Sequence, residues 1–492
     1  MKKITTDLAI IAAGPAGIAA AITGAEKGLN VSVFEKSSVP GGTSNMGMGP
    51  FAVESRIQKE AMIGLTKEEA FKLMMDYTHW QVDARMVRDY FWKSADTIQW
   101  LEAMGVRFAG ALKYYPEGHA TWHVVQPADG SHPGPRCAST MMKLMYERAL
   151  ELGVTFYFDT PAVKLTRDGE DVVGLVAKSK DGEEYEVEAA AIVIATGGFG
   201  DNPEMIKEHC DFTFGKDMFN FRIPGLVGDG LRMAWEAGAG KGNMEMEMIM
   251  STGHVHMLAG YVYTIAMQQP RSLIVNKEGK RVMDESVLQN TAVTANVSVR
   301  QSDRCLYVVS TDSHFDLYRK QGVDWVNGVI KADYTADAET WMQKAMQSFP
   351  GEAVLADTPE EAARLMGIDV ETFMKTLAEY NESCALHYDD LFCKDRRFLT
   401  PLEGKKFYIL RLVPGAYGTL GGIKVDSHYQ VLTQEGKKLY GLYAAGSDVC
   451  DLYAGTYLYY LPGNTMGFAL NSGRLAAEQA AEFINSLETV TP

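Results

Sequence analysis

The chain is short of cysteine, with six in 492 residues, and no two of them form a C-x-x-C pair. That spacing argues against a zinc knuckle, an iron–sulfur cluster or a redox disulfide, and leaves buried or idle thiols in a reducing compartment. Basic residues are also scarce. Forty-seven Lys and Arg face 63 Asp and Glu, a net charge of −16. An acidic body gains nothing from counterion release on nucleic acid and is repelled by anionic lipid. No apolar stretch is long enough to span a bilayer. The run from Leu8 to Ile22 after Lys2-Lys3 imitates a secretory signal, but Asp7 precedes it and Gly14-Pro15 interrupts it. The expectation is a soluble, cytoplasmic protein with no nucleic-acid or membrane partner. Hydrophobic residues at 46% and charged residues at 22% are the balance of a globular chain with material for more than one core.

What is present is organised from the N-terminus. Asp7 to Ala12 is a short apolar run typical of a buried parallel strand. Ala13-Gly14-Pro15-Ala16-Gly17 turns into an Ala-rich helix ending near Gly28, and Asn30 to Glu35 is the next strand. This βαβ unit of about 30 residues has the length of a dinucleotide fold. The loop departs from G-x-G-x-x-G at its first glycine, which is Ala12. Glu35, eighteen residues after Gly17, ends the second strand, where a carboxylate hydrogen-bonds ribose hydroxyls and repels a 2′-phosphate. Ala189 to Ala195 and Tyr440 to Ala444 read as further strands, each running into a Gly-containing loop, and Gly467 to Asn485 reads as a helix. Asp168-Gly169-Glu170-Asp171 and Lys180-Asp181-Gly182-Glu183 read as hairpin turns of a small antiparallel sheet. Residues 250–400 carry helical patterns, Thr358 to Met366 and Asp369 to Glu382, without nucleotide signals. The parse is a nucleotide-binding domain from both ends of the chain, 1–248 and 405–492, with an inserted domain at 249–404.

Four more segments follow in order: Gly41-Gly42-Thr43-Ser44-Asn45, Ala195-Thr196-Gly197-Gly198-Phe199, Gly228-Asp229-Gly230 and Tyr443-Ala444-Ala445-Gly446. Together they resemble the flavoprotein superfamily of fumarate reductases, succinate dehydrogenases and 3-ketosteroid dehydrogenases, over almost the whole chain. The resemblance implies an α/β fold: a Rossmann-like, glutathione-reductase-like domain of parallel sheet plus a small antiparallel sheet, and an inserted α+β capping domain. It implies noncovalent FAD, held by Gly14, Ala16, Gly17, Glu35, Lys36, Gly41, Gly42, Thr43, Ser44, Val163, Ala195, Thr196, Gly197, Asp229, Gly446, Ser447, Asn464, Thr465 and Met466. The amides of Asn464-Thr465-Met466, at a helix start, stabilise negative charge on the flavin's pyrimidine edge. No second G-x-G-x-x-G is present, so electrons are expected from an external donor: NAD(P)H, a reduced flavin or an electron-transfer protein.

The resemblance breaks where fumarate reductases bind a dicarboxylate. Gln289 stands in the catalytic arginine's place, Ser251-Thr252-Gly253 in that of a His-Pro-Thr triplet, and Tyr417-Gly418 in that of a histidine pair. Tyr459-Tyr460-Leu461-Pro462-Gly463-Asn464 replaces Asn-Arg-Leu-Gly-Gly-Asn. Glu285-Ser286 and the segment Pro414 to Gly422 lean toward the ketosteroid branch, whose catalytic tyrosine nevertheless also falls at Gln289. Near the flavin, tyrosines remain: Tyr417, Tyr453, Tyr457, Tyr459 and Tyr460. A phenol donates a hydrogen bond while offering an apolar face. Tyr417, Tyr460, Gln289 and Tyr457 are the catalytic candidates, for hydride transfer to a neutral, ring-containing, flavonoid-like or steroid-like substrate. The alternatives are a ketosteroid dehydrogenase or enone reductase and, in another class, the flavoprotein subunit of an electron-transfer complex. The alternating Met244, Met246, Met248 and Met250 read as a core strand. His254 and His256 are a metal pair only if further ligands join them. The aromatic Tyr114–Arg136 segment, with His119, Trp122, His123 and His132, reads either as a lid or substrate wall or, equally, as a solvated loop with a structural Trp.

Overall fold

The computed structural model describes residues 1–220, 223–255, 267–325, 338–449 and 451–490. Its first strand, β1 (Lys2–Ile11), owes its place to the run Leu8-Ala9-Ile10-Ile11, buried on both faces. β1 lies parallel to β2 (Val31–Phe34) on one side and to the Glu184–Ile194 strand on the other, with Ile10 opposite both Val33 and Val193. The sheet order is Gln430–Leu432, Lys438–Ala444, Glu184–Ile194, β1, β2, Thr155–Tyr157. All neighbours are parallel except the first pair. Helix α1 (Pro15–Glu26) has Pro15 in its first turn, where the missing N–H costs nothing. It packs so tightly on the strand it follows that a Cβ on Gly17 would sit 1.9 Å from the Ala12 carbonyl.

Strands Ala162–Asp168 and Asp171–Lys178 form an antiparallel arm on Glu184–Ile194. The predicted turns fall where expected, with Asp168 paired to Asp171 across the first. The C-terminal helix runs Asn464–Val490, longer than the predicted Gly467–Asn485.

The chain divides into two compact units. The first comprises Met1–Asp211, Arg222–Glu247 and Gly418–Pro492, and the second Phe212–Phe221 and Met248–Tyr417. In the second, the strands alternate their side chains between two apolar layers. Leu273, Val275, Tyr307, Val309, Phe407 and Ile409 pack with the helices Pro359–Met366 and Val370–Leu386. Ile274, Leu306, Val308, Tyr408 and Leu410 pack with Phe315, Trp341 and Met342. A sheet covered on both faces needs apolar residues at every position, which explains the unbroken Leu306–Val309 run. Thr358 and Asp369 cap the two helices, accepting hydrogen bonds from the Glu361 and Thr372 amides.

This unit also buries four charges. Arg281 makes paired bonds to Glu285 (3.0 and 2.9 Å) and Asp389 (2.8 and 3.0 Å). The Lys394 ammonium bonds Glu285 at 3.2 Å, the Ser272 carbonyl at 3.1 Å and the Tyr380 hydroxyl at 2.9 Å. Two cations and two anions balance.

Candidate active site

The nucleotide-binding candidates converge beyond the carboxyl ends of the parallel strands, where open α/β sheets bind ligands. Ala12, in the first-glycine position, adopts a left-handed φ of 85°. Gly14 caps α1 without any side-chain hydrogen bond, and the first turn carries no acidic residue. Its unpaired amides are therefore open to an anion. Glu35 is buried. Its carboxylate accepts the Ala13 N–H at 2.6 Å and the Ser37 N–H at 2.7 Å, which fixes it at the mouth of the loop. Gly41 donates to the Ala13 carbonyl at 2.8 Å. A Cβ on Gly42 would approach the Gly14 Cα to 3.1 Å, so the close contact of the two loops depends on the glycine at 42. Thr43 and the buried Ser44 follow in a short 3-10 turn, Gly42–Met46. Lys36 forms an ion pair with Asp229 at 2.7 Å and also bonds the Gly225 carbonyl. Met466 reaches the backbone at Gly47, and Ala16 packs beside Gly446.

Asp448 organises the Thr196–Gly198 loop, and sequence reasoning missed it. Its carboxylate accepts the amides of Thr196, Gly197 (3.2 Å) and Gly198 (2.8 Å) and the Thr196 hydroxyl (2.9 Å). Burial pushes its pKa up to about 6 despite these donors. It lies in the 3-10 turn Gly446–Asp448 with Ser447, two residues past the glycine that ends the recognised motif. Thr419 completes the loop by accepting the Phe199 N–H at 2.8 Å. Val163 is exposed at the start of the antiparallel arm, three residues after Thr160, whose N–H donates to the Glu35 carbonyl at 2.9 Å.

Where the C-terminal helix begins, the tyrosines gather. Tyr457 packs edge-on against Tyr459 (4.8 Å) and beside Tyr453 (5.3 Å), and Tyr114 lies against Tyr459 at 4.5 Å. Tyr460 is flanked by Tyr77 (6.0 Å) and Tyr115 (5.7 Å). The Tyr457 hydroxyl meets the Thr465 hydroxyl and the amides of Asn464 and Thr465. The Thr465 hydroxyl also bonds Glu247, a carboxyl only 3% exposed, whose pKa burial pushes up to about 8. Glu247 is the second residue that sequence reasoning missed. It sits in the Lys241–Ser251 strand among the alternating methionines. Met246, Met248 and Met250 are buried as expected, but Glu247 and Ile249 between them are buried too, so the strand has no solvent face there.

Of the Tyr114–Arg136 residues, Tyr114 and Tyr115 join this aromatic wall. His119 donates its backbone N–H to the Tyr460 carbonyl at 2.8 Å. His123 is structural: Ser55 holds its Nε2 at 2.6 Å and the Thr121 carbonyl faces Nδ1 at 3.0 Å, while burial pushes its pKa down to about 4. It is neutral at physiological pH.

The second unit holds the other two catalytic candidates. Gln289 ends the 3-10 turn Glu285–Gln289, buried, with its Nε2 lacking a hydrogen-bond partner. Tyr417 is 40% exposed. His254 pairs with Glu352 at 2.7 Å through Nδ1, which makes it one half of a carboxylate–histidine pair. His256 lies outside the described residues. No group of three or more metal-ligating side chains occurs among the described residues, and no helix among them is long and apolar enough to cross a membrane.

The family described as FAD binding domain matches residues 7–465, and the chain belongs to it. Vinyl phenol reductase of Lactiplantibacillus plantarum is 29% identical over 501 aligned positions, covering 100% of this chain and 99% of that protein. NADH:fumarate oxidoreductase of Klebsiella pneumoniae is 25% identical over 97% of the chain, which spans 48% of that longer protein. The solved 3-ketosteroid-Δ4-(5α)-dehydrogenase of Rhodococcus jostii RHA1 superposes with a TM-score of 0.75 at 23% identity, over 98% of each chain. The protein is an FAD-dependent oxidoreductase. The site fits that cofactor: uncapped helix amides suit the pyrophosphate, and the fixed Glu35 suits the ribose.

Proposed function

We propose that the chain reduces a neutral phenol whose reacting carbon is conjugated to a para-hydroxyl group. The observation that carries this is the wall of Tyr77, Tyr114, Tyr115, Tyr457, Tyr459 and Tyr460 at the start of the Asn464–Val490 helix. Uncharged, flat and able to donate hydrogen bonds, it suits an aromatic ring and offers no fixed cation to a carboxylate. Vinyl phenol reductase carries such a phenol in its name, which supports the reading. Within the class we favour a benzylic alcohol, as in the reductive dehydroxylation of tetrahydrodaidzein to equol, a step of isoflavone metabolism. The para-phenol expels the benzylic hydroxyl as water, leaving a quinone methide that accepts hydride at carbon. Protonation of the leaving oxygen and return of the phenolic proton balance the reaction.

Bound FAD supplies the hydride, replenished by an external donor such as NAD(P)H, a reduced flavin or an electron-transfer protein. The chain's own part is to stack the ring, exclude water and hold a proton near the departing oxygen. Tyr460 and Tyr417 are the proposed donors, Tyr457 orients the ring, and Gln289 donates a neutral hydrogen bond from its buried amide. A ketosteroid or enone substrate is the second reading, favoured by the Pro414–Gly422 segment. Tyr460→Phe and Tyr417→Phe should retain FAD, with at least one slowed by about 10²–10⁴-fold, the usual cost of losing a general acid. Two variants with near wild-type kcat would move proton donation elsewhere.

A further inference from the structure

Every turnover of such a reductase places one hydride and one proton on the substrate, so a proton must enter a buried site from solvent each cycle. The Lys241–Ser251 strand has the parts for that entry. Asn243, Glu245 and Glu247 alternate along it, and residues two apart share a face. Along this face exposure falls stepwise: Asn243 is exposed, Glu245 half-buried and Glu247 buried. A narrow cleft of about 10 Å³, room for a single water, is lined by Asn243, Glu245, Asp451 and Tyr453 together with the apolar Leu420, Val449 and Leu452. Asn243 bonds Asp451 at 3.1 Å at the exposed end. At the inner end Glu247 meets Thr465, whose hydroxyl also meets Tyr457. The Tyr453 hydroxyl is buried and points toward Thr465 without completing a hydrogen bond.

We propose that Glu245 and Glu247 are stations of a proton path running from the Asp451 surface to Thr465 and Tyr457, the cleft bringing water to Glu245 and one further water spanning the step along the strand to Glu247. Same-face carboxyls on one strand stand about 6.8 Å apart at the backbone, a gap that a single water bridges. The sequence of transfers balances. Tyr460 and Tyr417 protonate the departing oxygen, while Tyr457 returns the phenolic proton to the ring it orients and recovers one from Thr465. Thr465 is recharged by Glu247, which regains its proton through Glu245 from solvent.

The chemistry of the stations suits this work. Burial pushes Glu245 up to about 7 and Glu247 up to about 8, so both exchange protons near neutral pH, where an ordinary carboxyl is fully ionised. The groups facing Glu247 are Thr465 from the C-terminal helix and Tyr453 and Tyr457 from the preceding loop. No cation is among the causes of its shift. Tyr90, from the Ala84–Ala103 helix, bonds the Asn464 carbonyl at 3.0 Å and closes the far side.

The inference rests on the reading that Tyr457 borders the substrate, and two arms keep the failures apart. In the first, the infrared C=O band of protonated carboxyls is followed in the holoenzyme from pH 5 to 10. A component titrating near pH 8 is expected in wild type and should be missing from Glu247→Gln. In the second, pre-reduced enzyme is mixed anaerobically with 4-vinylphenol and with tetrahydrodaidzein across the same range. Glu247→Gln should slow flavin reoxidation by about 10²-fold and lose the limb near pH 8. Thr465→Val should slow it comparably while keeping the infrared component. No titrating component, or a Glu247→Gln variant with wild-type rate and profile, overturns the path. Wild-type reoxidation by neither phenol overturns the substrate reading, and the infrared arm still decides on Glu247.

Discussion

The two units hold their most deeply buried acids in opposite ways. The second pairs them with cations: Arg281, Glu285, Asp389 and Lys394 satisfy one another at 2.8 to 3.2 Å. The first buries Glu247 and Asp448 with hydroxyl and amide donors but no cation, and burial drives both carboxyls toward the neutral form. A balanced cluster can be bought by packing alone, because each ion repays its partner's desolvation. A lone acid has no such return. Its position is explained by what it holds: Asp448 the Thr196–Gly198 loop, Glu247 the start of the helix that carries Thr465.

The largest effect that separates the two patterns is expected in the second unit. Glu285→Ala leaves Arg281 and Lys394 buried against Asp389 alone and should cost about 3–5 kcal/mol in denaturant unfolding. A loss within experimental error would mean that the cluster is not what stabilises this unit. Next comes the response to pH. An acid raised to about 8 in the folded state but near 4.5 when unfolded stabilises the protein fully only below 4.5. Above that value the folded state binds the extra proton, so stability falls as pH climbs toward 8. Glu245 and Asp448 add the same slope over shorter ranges. Wild type should therefore lose stability from pH 5 to 8, Glu247→Gln should lose less, and hydrogen exchange should rise around 243–247 and 451–468 rather than 271–290. Equal protection at pH 6 and 8 in the first region would contradict the comparison. His123 in one unit and His314 in the other, both pushed down to about 4, act in reverse, weakening both as pH falls from 6.5 to 4. The smallest effect concerns Ala12. A left-handed alanine is strained where glycine is not, so Ala12→Gly should raise stability by about 0.5–1 kcal/mol and leave FAD bound. A destabilised variant would show that the strain is not relieved there.

Much of the first unit was readable because its signals are local. Strand, glycine turn, Pro15 and Glu35 lie within one βαβ unit, and each obeys a rule of backbone geometry. The hairpin at Asp168–Asp171 and the caps at Thr358 and Asp369 are likewise short-range. Glu247 and Asp448 were not legible, for two different reasons. A period of two reports that residues alternate but not that both faces of a strand are covered, so nothing in the pattern marks Glu247 as buried. Asp448 acts on residues some 250 positions away, and no local pattern announces such a partner. Val163 was placed by resemblance alone, since no local pattern marks it. The aromatic wall was half visible: Tyr457, Tyr459 and Tyr460 are neighbours in sequence, whereas Tyr77, Tyr114 and Tyr115 reach them only through the fold.

The central claim is that this flavoprotein has exchanged a dicarboxylate site for a neutral, phenol-binding one. The most direct test is anaerobic reoxidation of the dithionite-reduced holoenzyme by 4-vinylphenol, tetrahydrodaidzein and fumarate under identical conditions. Rapid return of the oxidised flavin spectrum with at least one phenol, and none above background with fumarate, is the predicted result. Fumarate reoxidising the flavin as fast as either phenol would contradict it.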